Sequence, residues 1–527
     1  MKAVLLLGSD RRVPAWQFDA LSEAVEAGLD VVIVAFCTDN VRRSSPIRFA
    51  LYYLLALAGR LSNKAVKRRD ITELLADNVP TISFASQWEG SWQRIPDDIA
   101  ATFNGADVVV KFGMNLLRDP DNLPVPLGVL SYHHGDPTLF RGRPAGFYEL
   151  VHRSSTVGSC VQRLSNTLDG GEILAVAQAP VRRYSYAKTL QSAYLAGVPL
   201  LGLVVRNGGR ALVAQSPTLG PNYRLPRNGV VLSLVFRLFV EKVRRLGFGL
   251  FGERRWRVGR VEGHVELEGA LTFTLADIRA LEVPSGCSFV ADPCGFDGGR
   301  LFCEALDSLS GRGKIVQWDG SSWLDVGLEV QGKHASYPQV VEWDGAKLLF
   351  PEVANVGSPR LFEISDEGRA TGRSWPLEGL EHRRLIDGTL LRHGQLWILF
   401  AGSPESFDYR LDLWFARSPL GPYEVHPASP ICVDARGARM GGPIAFQDGS
   451  LYRLGQDSST HYGGALSVFR IDVLDDHQYA ESRVGSVSIS NSFGPHTLTL
   501  DEKGAWLDFY KVTWTPFAWW RRARARG

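Results

Sequence analysis

Residues 343–352, WDGAKLLFPE, decide how the second half of the chain is read. An Asp-Gly turn leads at once into large apolar residues, the pattern of a hairpin whose return strand is buried. The unit recurs as FDGGRLFCEA from Phe296, RHGQLWILFA from Arg392, QDGSLYRLGQ from Gln447 and DEKGAWLDFY from Asp501. Successive starts, in chain order, are 47, 49, 55 and 54 residues apart. Upstream of each lies a shorter strand opening on a small polar cluster. In order these are Ala291-Asp292-Pro293, Ser336-Tyr337-Pro338, Ile386-Asp387-Gly388, Gly441-Gly442-Pro443 and Gly494-Pro495-His496. Repeats of this period bury their apolar faces only by stacking on one another, so five copies predict an all-β five-bladed propeller over residues 281–515.

Working outward, the texture changes before residue 281. Lys2–Leu7 and residues 29–36 are continuous apolar runs, as in strands buried on both faces of a parallel sheet. Residues 16–27 between them have helical spacing, and strand candidates follow at 107–112 and 127–132. This βαβ order predicts an open, Rossmann-like α/β domain over residues 1–205. Gly8-Ser9-Asp10 is no GxGxxG, so it gives no support for dinucleotide binding. Residues 206–280 read as a basic amphipathic connector and 516–527 as a basic aromatic tail.

Composition narrows the classes further. Lys and Arg number 58 against 56 Asp and Glu, a balance that excludes a dedicated nucleic-acid binder. Six scattered cysteines are too few for a disulfide framework, which favours a reduced, cytoplasmic setting. No metal site is expected. The positive charge is gathered in three places: around the apolar run 49–59, along 230–251, and in the ending TPFAWWRRARARG. Such stretches are either core helices with snorkelling cations or peripheral contacts with the inner face of a membrane. No run of about 20 apolar residues is read as a spanning segment.

The chemistry of the first domain concentrates in residues 130–174. His133 leaves a predicted strand at its carboxyl end, where open α/β sheets place their sites. Leu168-Asp169-Gly170-Gly171 is a loop carrying an acid, and a His–Asp pair is suited to proton transfer. The reading with no chemistry is a structural histidine and a turn aspartate. Together with Arg141-Gly142, this segment resembles the N10-formyltetrahydrofolate-dependent formyltransferases. The resemblance implies His133 and Asp169 as catalytic residues, with Ser131 at the place of the family's asparagine. It also implies N10-formyltetrahydrofolate as cosubstrate, held by Phe112, Gly113, Met114, Asn115 and Leu116 and by Ser165, Asn166, Thr167 and Leu168. The expected reaction is formyl transfer to the amine of an amino sugar or sugar nucleotide.

In the propeller, carboxylates and aromatics accompany one another, as in sugar-binding funnels. The alternative for these acids is inner-strand carboxylates that cap turns. The segment resembles family-43 glycoside hydrolases and the N-terminal propeller of the glucosamine inositolphosphorylceramide transferases. The resemblance implies Asp292 at the place of the hydrolase base, Asp387 at the middle-blade aspartate and His496 near the axis. Glycine stands at Gly441-Gly442-Pro443 where the hydrolases carry their acid, and hydrolysis needs two carboxylates. Asp292, Tyr337, Glu352, Asp387 and His496 are therefore the expected substrate-binding residues, with a glycan as the partner. The competing reading of the whole chain is a glycan-binding or glycosidase-like propeller protein with an inactive transferase domain.

Overall fold

The structure, a computed structural model, describes residues 1–39, 47–216, 218–296, 299–330, 333–353 and 358–526. Arg42 and Arg43, part of the positive charge before the apolar run 49–59, Pro217 in the segment 206–280, and the Asp297-Gly298 turn of the first repeat lie outside the described residues. The chain divides into two compact units, Met1–Val243 and Arg244–Gly527.

The first unit is built on a mixed, seven-stranded open sheet. Its strands are β1 (Lys2–Leu7), β2 (Asp30–Cys37), β3 (Thr81–Phe84), β4 (Val108–Lys111), β5 (Val129–His133), β6 (Thr156–Arg163) and β7 (Glu172–Pro180), in the spatial order β7-β6-β5-β4-β1-β2-β3. Strands β3, β2, β1, β4 and β5 run parallel, while β6 pairs antiparallel with both β5 and β7. The central strands are apolar without alternation because both faces are covered: Val4, Leu5 and Leu6 are inaccessible to solvent, as are Val108 and Val109. The helices are α1 (Ala15–Glu26), α2 (Ala50–Ser62), α3 (Asp97–Ala101), α4 (Phe147–Val151), α5 (Tyr186–Gly197), α6 (Leu200–Arg206) and α7 (Asn228–Phe251). The segment 186–206 is long and apolar enough to cross a membrane by composition, but it is mostly buried within this unit. Pro199 divides it into the two helices α5 and α6.

The second unit is a ring of five sheets among the described residues. Blade one begins with Cys287–Phe296, blade two with Ala335–Trp343 and blade three with Ile386–His393; each is a four-stranded antiparallel meander. Blade four is built on Ser450–Gln456, Leu466–Leu474 and Tyr479–Ile489, and blade five on Leu498–Asp501 and Gly504–Trp514. Apolar seams join neighbours: Phe302, Ile315, Leu349 and Ile364 between blades one and two, for example, and Leu361, Leu377, Leu399 and Trp414 between two and three. The repeats read from the sequence are thus blades.

The expected connector at 206–280 needs correction. Gly252–Glu262 pairs antiparallel with Gly504–Trp514 along its whole length, and Gly269–Phe273 pairs in parallel with Gly485–Ile489. Residues 252–280 are therefore propeller strands that close the ring. Their four arginines disguised a strand: in GERRWRVGRVE, the buried Trp256, Val258 and Val261 interrupt Arg254, Arg255, Arg257 and Arg260.

Candidate functional site

In the first unit, β5 ends at His133, and the left-handed backbone of Asp169 (φ 46°) turns its carboxylate inward. His133 Nδ1 lies 3.4 Å from Asp169 Oδ1, and both residues are largely buried. Burial opposes charge on His133, but the ion pair with Asp169 prevails and holds its pKa above the ordinary value. Burial also opposes ionisation of Asp169, and His133 reverses that effect, lowering its pKa. The other imidazole nitrogen, Nε2, is 3.2 Å from the Phe140 carbonyl. Asp169 Oδ2 accepts the Gly142 N–H at 2.8 Å. Both ring nitrogens are thus engaged by the protein. A small cavity nearby, lined by Phe140, Arg141, Gly142 and Glu149, holds about 10 Å³, room for a single water.

The residues expected to hold folate brace loops instead. Gly113 is packed so tightly on β1 that a Cβ would lie 2.1 Å from Gly8 N. The Asn115 N–H donates to Gln93 Oε1, Leu116 pairs with Trp92, and the Phe112 carbonyl accepts from Gln17. Met114 packs against the core under the sheet. Asn166 Oδ1 accepts the Asp119 N–H at 2.8 Å; Ser165 Oγ accepts the Thr167 N–H, and the Leu168 carbonyl accepts from Arg141. Ser131 is buried, in register between Lys111 and Gln162. The sequence reading gave no role to Lys111, whose pKa burial drives down to about 8 against the pull of Asp169.

In the propeller, one local device is repeated. The first strand of blades one, two and three carries a register shift at Asp292 (φ 54°), Tyr337 (φ 46°) and Asp387 (φ 50°). Gly442 (φ 127°) follows in blade four. Such bulges re-aim a side chain out of the pleat, here bringing these groups together at the ring's centre. The Tyr337 N–H donates to Asp292 Oδ2, while its hydroxyl donates to the Gly442 carbonyl and accepts the Gly442 N–H. Tyr337 is buried and presents no ring face to a sugar, which corrects its expected role.

The central acids are likewise consumed by internal partners. His496 Nε2 lies 3.1 Å from Asp292 Oδ1, and Nδ1 lies 2.5 Å from Asp508 Oδ2, out of line for a hydrogen bond. Burial opposes the proton on His496, but the Asp508 and Asp292 carboxylates, with Tyr462, push its pKa well above the ordinary value. These three side chains could ring a cation, their donor atoms lying within 4.8 Å of one another. The imidazolium already supplies the positive charge there. Asp387 is paired with Arg439, which also lies 4.8 Å from the Tyr462 ring, and accepts from Gln456 at 3.2 Å. Glu304 is pushed well above the carboxylate range by burial and by Asp292. Its neighbour His334 receives the Gly313 N–H on Nδ1, which leaves the proton on Nε2, 3.3 Å from Glu304.

Of the five expected residues, Glu352 lines a large cavity. Its Oε2 accepts the Asp387 N–H at 3.0 Å, and it lines a space of about 360 Å³ in blades two and three. Lys333, Arg360, Arg383 and Arg384 line the same cavity. Burial, then the Asp387 charge, pushes the Glu352 pKa up to about 7. The sequence reading missed Arg439 and Asp508, the partners of Asp387 and His496. It also missed the cationic wall, whose arginines fall between repeats.

Among the aromatics of the propeller, Trp318 and Trp397 pack within blades rather than at the centre. Trp256, from the segment read as connector, lies instead 4.1 Å from His496.

Comparison with known proteins places the second unit. The family described as "Glucosamine inositolphosphorylceramide transferase 1, N-terminal" matches residues 271–497. The chain is 31% identical over 226 residues to glucosamine inositolphosphorylceramide transferase 1 of Arabidopsis thaliana, covering 40% of this chain and 29% of that protein. The protein of that name from Oryza sativa subsp. japonica is 32% identical over 266 residues, 44% of this chain and 35% of the relative. The chain thus spans about a third of the curated relatives it matches. Among solved structures, Cellvibrio cellulosa α-L-arabinanase overlaps 37% of this chain and 78% of its own, at 14% identity and a TM-score of 0.29. Phosphoribosylglycinamide formyltransferase from Anaplasma phagocytophilum overlaps 42% of this chain and 99% of its own, at 13% and 0.27. Overlaps at these scores fix no chemistry.

These findings overturn the expected activity. The curated relatives are glucosamine inositolphosphorylceramide transferases, so the expected formyltransferase activity is corrected, and with it N10-formyltetrahydrofolate as cosubstrate. What stands is a sheet-rich chain with a propeller and a likeness to carbohydrate transferases.

Proposed function

We propose that the propeller is the carbohydrate-recognition part of a protein of glycolipid or polysaccharide assembly, taking a sugar headgroup that bears an anion. The first unit, in this reading, keeps a formyltransferase-type layout as a scaffold. The observation that carries the proposal is the cavity of about 360 Å³, where Glu352 stands with Lys333, Arg360, Arg383 and Arg384. Guanidinium groups match phosphate oxygens in charge and shape, and a carboxyl accepts from or donates to sugar hydroxyls. The relatives' name supports the class, since inositolphosphorylceramide joins a polyhydroxylated ring to lipid through a phosphodiester. Recognition is favoured over hydrolysis because Gly441 supplies no acid and Arg439 neutralises Asp387.

Calorimetric titration with glycerophosphoinositol, a soluble inositol phosphodiester, tests this against free inositol. The phosphodiester should bind with at least about tenfold higher affinity, and Arg383→Ala with Arg384→Ala should abolish the preference. Equal affinity for the two ligands would overturn the anionic part of the reading. Binding of neither, nor of a wider panel of phosphorylated and neutral sugars, would overturn the whole.

A further inference from the structure

We infer that α2 and α7 together form a docking surface for a membrane carrying anionic lipid. The inference is independent of the cavity in the propeller. Each helix has two apolar faces where a surface helix of a globular protein ordinarily has one. On α7, Val231, Leu234 and Leu238 are buried against the first unit, and Arg237 donates to the Val151 carbonyl at 3.0 Å. The opposite side carries Leu232, Val235, Phe236, Phe239 and Val243, all exposed, Phe236 to 67%. Their spacing keeps them in one stripe along three turns.

Helix α2 repeats the arrangement. Gly59 packs against Tyr186 and Ala187 of α5, while Tyr53, Leu54, Leu57 and Leu61 form an outward stripe, Leu61 exposed to 83%. One residue holds the two helices together: Asn228, at the start of α7, accepts the Leu51 N–H at 3.2 Å and donates to the Ile47 carbonyl at 3.4 Å. The latch sets the starts of the two helices side by side, with Ile47 exposed beside it.

Charge selects the occupant. Arg60 on α2 and Lys242 on α7 are exposed, and Arg48, Lys64 and Lys67 stand exposed at the ends of α2. Protein interfaces are depleted in lysine, whereas an apolar stripe flanked by cations lies well at the headgroup boundary of an anionic bilayer. The sequence alternative of simple core helices does not account for the outward stripes. Residues at i, i+3, i+4 and i+7 that face solvent need a cover, and the cations specify its sign.

The test is co-sedimentation of the full chain with vesicles of phosphatidylcholine plus phosphatidylserine, and with phosphatidylcholine alone. Binding is expected to the anionic vesicles, weakened by added salt as surface charges are screened. Phe236→Asp with Phe239→Asp should lower partitioning by at least about tenfold, since the lost burial of one aromatic ring already suffices for that factor. Leu54→Asp with Leu57→Asp should act the same way from α2. Both pairs are exposed, so circular dichroism should be unchanged. No sedimentation at low salt, or full binding by both variants, would overturn the inference. A wild-type dimer in light scattering that these variants dissociate, without vesicle binding, would assign the patch to a second copy instead.

Discussion

Glu352 lines a cavity, and its pKa lies near 7. Asp292 and Asp387 are buried and spend their charge on His496 and Arg439. A carboxyl with its pKa raised to about 7 is neutral below that value and can share a site with a phosphodiester, whose own charge is constant. Above it, Glu352 becomes an anion beside an anion. Affinity for glycerophosphoinositol should therefore be greatest below pH 6 and fall about three- to tenfold as pH passes through 7 to 8, the size of a single partly screened charge contact. Glu352→Gln should flatten the profile at the high-affinity end. A flat wild-type titration would show that Glu352 does not face the ligand. His133 illustrates the opposite case: its pKa is also raised, but both nitrogens are bonded within the protein, so the shift reports an ion pair that braces a loop.

At the scale of elements, the inner strands of the blades share a left-handed bulge but not the residue in it. Aspartate, tyrosine, aspartate and glycine occupy the same position in blades one to four. Just before it in blade four, Gly441 is enclosed: a Cβ there would come 2.4 Å from Leu466 Cδ2 and 3.2 Å from the His496 carbonyl. Leu466 is wholly buried, so it has little room to yield. Gly441→Ala is expected to destabilise the propeller by about 1–3 kcal/mol through overpacking, read as a lower urea midpoint with the slope unchanged. In a Leu466→Ala background the same substitution should cost much less, because the clashing methyl is gone. Equal costs in both backgrounds would place the strain in the backbone. The core has thus closed over Gly441, and a glutamate introduced there would unseat the blade.

For the molecule as a whole, the parts legible in sequence were those fixed by local pattern. The Asp-Gly turns and the runs after them mark blades because turn chemistry and burial act within ten residues. Continuous apolar runs marked β1, β2, β4 and β5 for the same reason. The antiparallel β6 and β7 were hidden in a segment read for its histidine and acid, and the partners Arg439 and Asp508 lie 52 and 12 residues from the groups they neutralise. Ring closure was least visible, since Gly252–Glu262 meets Gly504–Trp514 across most of the second unit. That pairing yields a test of where the propeller begins. A fragment of residues 244–527 contains both partners and every strand of the ring, so it should express as a monomer and unfold in one cooperative step. A fragment of residues 281–515, the extent read from repeats alone, leaves the eleven-residue strand Gly504–Trp514 without the neighbour it pairs with along its length. It also strips Val258 and Val261 from the seams beside blade five. An unpaired edge of that length is a template for aggregation, so this fragment should elute in the void volume or lose its cooperative transition. Equal monomeric, cooperative behaviour of the two fragments would mean that the blades close on their own, and that residues 252–280 decorate the ring instead of completing it.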